Sequence, residues 1–145
     1  MTMKRLSFLF LVILLVAPLP AALADDGYRL WLGYDRITDR AYLRECSRQF
    51  GNVMITGESP VLRTAHDEFI TGLEAMTGMK VTEVPAPEGK GTIIAGTFSS
   101  SPLVASLLSD VQPGTTGEEG YIIRSLRQGK RNITVVASEG EKGVL

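Results

Sequence analysis

Thr92-Ile93-Ile94-Ala95-Gly96-Thr97, with Ser99-Ser100-Ser101-Pro102 close behind it, decides the fold class. The first part is almost continuously apolar over strand length, the pattern of a strand covered on both faces. The second part is a helix start. A serine hydroxyl can accept a backbone N–H there, and proline suits the first helical position, where its missing N–H costs nothing. A helix of Leu103 to about Leu108 follows. A buried strand feeding a helix is the unit of an α/β sheet.

On the N-terminal side, Met79–Val84 reads as a strand that Pro85 and Pro87 terminate. Before it, Ser59 and Pro60 repeat the Ser-Pro helix start. Leu62, Ala65, Phe69, Leu73 and Met76 then recur at spacings of three and four until Gly78, a residue suited to a left-handed cap. Asn52–Gly57 is a short β-rich run. Thr38 or Asp39 can cap a helix through about Phe50, with Ala41, Leu43, Cys46 and Phe50 as its apolar stripe and Gly51 as its end. Tyr28–Tyr34 alternates as a strand, with Tyr28, Leu30, Leu32 and Tyr34 on one face. On the C-terminal side, Gly120–Leu126 and Asn132–Ala137 are two strands, and the short glycine-containing link Arg127–Arg131 predicts a hairpin. The sum is an α/β (α+β) two-layer sandwich: a mixed β-sheet with two main helices.

The ends carry separate signals. Lys4-Arg5, an apolar run of about a dozen residues, and Ala22-Leu23-Ala24 form a signal peptide over residues 1–24, cut after Ala24. Pro18 and Pro20 stop the run short of the ~20 apolar residues that span a membrane, so secretion or periplasmic export is expected, with no membrane contact after cleavage. The domain is then residues 25–145. At the other end, Ser138–Leu145 opens like a helix and does not continue, so truncation inside an element is expected, with the apolar side chains of that unfinished helix exposed.

Composition narrows the function. Without Lys4 and Arg5 the chain keeps 13 basic against 16 acidic residues, which gives no electrostatic reason to expect nucleic acid. One cysteine, Cys46, excludes an internal disulfide and any cysteine-cluster metal site. His66, the only histidine, has Phe69 and Ile70 at the spacings a second metal ligand would occupy, and reads as part of a solvated helical face. Cys46 has no second histidine to activate it and reads as a packed or half-exposed thiol. Gly96–Pro102 could meet an anion at a helix start, but it lacks the lysine and glycine spacing of a nucleotide loop, and its serines read as caps.

Glu118 and Glu119, read as the solvated beginning of a strand, would point to opposite faces and could not flank one bond. Asp25, Asp26, Asp35 and Asp39 lack calcium-loop spacing. Asn132-Ile133-Thr134 is a glycosylation sequon inside an expected strand. Alternation puts Trp31 opposite Tyr28 and Tyr34, so the three do not form one flat sugar-stacking platform. No catalytic, cofactor-binding or metal-binding residue emerges.

Asp26-Gly27-Tyr28-Arg29-Leu30-Trp31-Leu32-Gly33-Tyr34-Asp35-Arg36-Ile37, Ser59-Pro60, Gly91–Thr97 leading into Ser99–Leu103, Gly117–Arg124 and Glu141–Leu145 occur in an order that resembles the start of α-glucuronidases of glycoside hydrolase family 67. The resemblance covers nearly all of residues 26–145 and departs at Gly33, where a larger basic side chain is expected. It implies an α/β N-terminal domain of the kind that precedes a (β/α)₈ barrel in these enzymes and in β-hexosaminidases. The absent barrel would carry the two carboxylates of an inverting reaction on 4-O-methylglucuronic acid at the end of xylo-oligosaccharides, with no metal or other cofactor. None of those catalytic positions falls in this chain. The expected partners are that barrel and, through the parent, glucuronoxylan oligosaccharides; a homodimer of the parent stays open. Two other readings are an exported carbohydrate-binding module using Trp31 and the tyrosines, and an independent interaction domain.

Overall fold

The computed structural model describes residues 33–89 and 91–145. The expected signal peptide, with its cut at Ala24, and the expected strand from Tyr28 to Leu32 lie outside the described residues. The described elements are α1 (Arg40–Gln49), β1 (Asn52–Ile55), α2 (Pro60–Thr77), β2 (Thr82–Glu83), β3 (Gly91–Thr97), α3 (Pro102–Leu107), β4 (Ile122–Gln128), β5 (Arg131–Ser138) and a 3₁₀ turn, Glu141–Gly143.

The five strands form one mixed sheet in the order β2-β1-β3-β5-β4. β2, β1, β3 and β5 run parallel, and β4 returns antiparallel to β5. β3 lies at the centre with all seven residues buried, which is why its sequence is apolar without alternation. Ile93 and Ala95 face α1 and α2, packing with Val53, Val81 and Leu62. Ile94 faces the other way, onto Val104 and Leu108 beside Ile133, Val135 and Ala137. The two main helices, of 10 and 18 residues, thus cover one face, and the six-residue α3 covers the core of the other.

The helix starts follow the chemistry of their caps. Asp39, not Thr38, caps α1, its Oδ1 accepting from the N–H groups of Ala41 and Tyr42 at 2.7 and 3.1 Å. Ser59 caps α2 through Leu62 N–H, and Ser101 caps α3 through Val104 N–H. Gly78 ends α2 in the left-handed conformation. In the hairpin, Gln128 pairs with Arg131. Gly129 takes a φ of 62° in the resulting two-residue turn, a position where a β-carbon would be strained.

Several expectations shift. The strand expected over Met79–Val84 contracts to Thr82–Glu83, held by Thr82 N–H to Gly51 O and Val84 N–H to Val53 O before Pro85 and Pro87 end it. Gly120 and Tyr121 precede β4 instead of opening it. In α1, Cys46 is the buried residue and Ala41 is exposed. Gly33 and Tyr34 are irregular, with Tyr34 at a φ of +43°. At the C-terminus, the Ser59 hydroxyl donates to Glu141 Oε2 at 2.7 Å, and the chain closes into a 3₁₀ turn there. That turn buries Val144 against Leu62 and Ala95 and leaves Leu145 exposed, so only part of the expected apolar exposure occurs.

Candidate functional site

The most polar hollow of the fold lies where β1 gives way to α2. One side of it, of about 250 Å³, is lined by Leu62, Arg63, His66, Asp67 and Glu83. The neighbouring side, of about 540 Å³, shares Ile55, Gly57 and Glu83 and adds Thr56, Glu58, Val84 and Pro85. The β1–α2–β2 crossover builds it. It brings His66, in the second turn of α2, over the short edge strand that carries Glu83.

His66 is therefore not on a solvated face: its side chain is 24% exposed. Nδ1 lies 3.0 Å from Asp67 Oδ1, and Nε2 lies 3.4 Å from Glu83 Oε2 without hydrogen-bond alignment. Nε2 and the Thr56 hydroxyl are buried side-chain atoms with no hydrogen-bond partner. A water or a small hydroxyl group is what such atoms require. Among the described residues the ion-pair partners of His66 are the carboxylates of Asp67 and Glu83, groups that orient an imidazole and are not nucleophiles for it to activate. Cys46 is buried on α1 beneath the other end of the sheet. Sequence spacing misses the His66–Glu83 pairing because the two residues meet only through the crossover.

The remaining candidates have structural work. Around the Gly96–Pro102 turn, the Ser100 hydroxyl accepts Thr97 N–H at 3.1 Å and donates to Thr56 O at 3.2 Å, while Thr97 Oγ1 accepts Ser100 N–H at 2.9 Å. Asp35 is exposed in an irregular segment. Glu118 and Glu119 sit in a turn before β4, so strand alternation does not govern them; Glu119 faces Lys142 at 3.5 Å. Asn132 and Thr134 are ladder residues of β5, Thr134 buried. Tyr34 is turned onto α2: its ring covers Gly72, and its hydroxyl donates to Glu68 Oε2 at 2.9 Å. Trp31, Tyr28, Asp25 and Asp26 lie outside the described residues.

Two surface carboxylates stand apart from the general acid of glycoside hydrolysis. A general acid in that reaction needs a carboxyl held above its ordinary range. Glu45 and Asp110 are displaced the other way. Hydrogen bonds from Gln49 and Arg48 lower Glu45, and a hydrogen bond from Arg124 lowers Asp110. Among the described residues no group of three or more His, Cys, Asp and Glu side chains is placed to hold a metal ion, and no helix is long and apolar enough to cross a membrane.

No curated protein matches the chain. A family model does: the one described as the glycosyl hydrolase family 67 N-terminus matches residues 30–145, a stretch that contains every described helix and strand. A central buried strand, two Ser-Pro helix starts and a mixed sheet are thus the features of a matched domain, and the chain belongs to the N-terminal domain family of the family 67 α-glucuronidases.

Proposed function

We propose that the chain is the non-catalytic N-terminal domain of an exported α-glucuronidase that releases (4-O-methyl)glucuronic acid from xylo-oligosaccharides during xylan breakdown. In this reading residues 1–24 are a signal peptide removed after Ala24, and residues 25–145 are the domain. Its work is structural, holding a (β/α)₈ catalytic domain of the same parent, through which it meets glucuronoxylan oligosaccharides. The observation that carries the proposal is the family match over residues 30–145. The chemistry is consistent with it, since inverting hydrolysis needs two carboxyls set apart around a water.

Incubating the purified chain with aldouronic acids tests the division of labour. No glucuronate should be released, and steady turnover would refute the proposal. Export is tested separately. N-terminal sequencing of the protein recovered from periplasm or medium should begin at Asp25, whereas a protein retained with Met1 at its start overturns the signal peptide.

A further inference from the structure

The parallel strands all begin at one rim of the sheet, and charge is sorted between that rim and its opposite. Lys80 precedes β2, and the Gly129–Lys130 turn joins Arg127 of β4 to Arg131 of β5 there. The Arg36 guanidinium reaches the same rim, lying over Gly78 just past the end of α2. All five cations are exposed, and none has an ion-pair partner among the described residues. The acids near them are Glu88, which is exposed, Glu45, which is held by Arg48, and Glu74, whose Oε1 accepts Val81 N–H. At the opposite rim lie Glu58, Glu118, Glu119, Glu139 and Glu141, with Lys142 facing Glu119 at 3.5 Å. A chain of formal net charge −1 is therefore electrically two-ended.

We propose that the basic rim is a docking surface for a carboxylated polysaccharide. Four inter-strand steps of ~4.8 Å set Lys80, before β2, about 19 Å from the Arg127–Arg131 turn, two separated points of positive charge suited to an extended polymer with spaced negative groups rather than to one small anion. Unpaired exposed cations on a single rim concentrate attraction for such a polymer, and the acidic rim orients the domain by repelling it. Nucleic acid fits less well. Among the described residues the exposed aromatic side chains, Tyr42 and Tyr121, lie in the first turn of α1 and just ahead of β4, away from the basic rim, and none of them gives that rim a base-stacking platform. The choice of a sugar polymer rests on membership of a glycosidase family; release of glucuronate by a parent enzyme plays no part in it, so the two can fail independently.

Affinity electrophoresis of the full chain tests this directly. The probes are glucuronoxylan, the same polymer with its carboxyls reduced to alcohols, and duplex DNA. The expected result is retardation by glucuronoxylan that is abolished by carboxyl reduction and by high salt. The double variant Lys130→Glu/Arg131→Glu should weaken it at least five-fold with an unchanged melting midpoint. Where that reversal disturbs the hairpin, seen in circular dichroism, Arg127→Gln with Lys130→Gln carries the same expectation. Equal retardation by native and reduced polymer, no retardation by either, or binding untouched by the substitutions overturns the proposal. Retardation by DNA as strong as by glucuronoxylan overturns the assignment to a polysaccharide.

Discussion

Gly72 is the one position of α2 without a β-carbon, and the Tyr34 ring occupies the space. A methyl group built there would stand 2.7 Å from Tyr34 Cε1, so the ring has to move. Alanine in a helix interior is otherwise worth roughly 1 kcal/mol over glycine. Gly72→Ala should therefore destabilise the native chain and stabilise a Tyr34→Ala background by about 1 kcal/mol. A denaturant double-mutant cycle reads that change of sign, and equal effects in both backgrounds would remove the steric account. Asp110 offers a second case. The Arg124 guanidinium lies 2.6 Å from its Oδ1 and holds the carboxyl below the ordinary aspartate range. A lowered native value means that the stabilising contribution is complete above the ordinary range and is lost as the pH falls through the lowered midpoint. Arg124→Gln should move that midpoint back up, as followed by the Asp110 carboxyl ¹³C shift. Residues of this kind are poorly legible in sequence. The Tyr34–Gly72, Arg124–Asp110 and His66–Glu83 pairs depend on how elements cross, and spacing along the chain does not report it.

Helices and strands were far more legible, because their causes are local. Ser59-Pro60 and Ser101-Pro102 each carry the cap acceptor and the pre-set φ of a helix start, and both begin helices. The continuous apolar run of β3 signals two covered faces, and both are covered. What failed locally failed where a neighbour decides. β2 keeps two residues because Pro85 cuts it short and only Asn52 and Val53, the first half of β1, pair with it. The 3₁₀ turn Glu141–Gly143 meets the start of α2 through the Glu141 carboxylate, which accepts from Ser59. The face covered by α3 was not legible either, since six residues display too little periodicity. Ser59 joins two of these observations: its hydroxyl accepts Leu62 N–H and donates to Glu141. Ser59→Ala should cost about 1–2 kcal/mol by urea unfolding, and loss of the cap predicts faster amide exchange in the first turn of α2. Ile94, fully buried between β1, β5 and α3, should cost about 2–5 kcal/mol on truncation to alanine, the cost of a cavity the packed sheet cannot close.

Across the whole molecule, the strand order sets a gradient of protection. β3 and β5 are flanked on both sides, whereas β2 and β4 form the edges. Amide exchange should be slowest in β3 and β5 and fastest in β2 and the 3₁₀ turn. Exchange as slow in Thr82 and Glu83 as in Ile94 would contradict this order. The overall sandwich could be read from the sequence because each element's pattern agreed with it. The strand order could not, since periodicity says which face is buried and nothing about which neighbour supplies the hydrogen bonds.

The two-residue length of β2, with Pro85 and Pro87 behind it, has a consequence for the protein in concentrated solution. An open strand is a template on which another molecule can assemble, and fibrils grow by that route. Here one margin offers too few backbone groups to recruit a stranger, and the other presents the arginines of β4. Both features discourage strand addition.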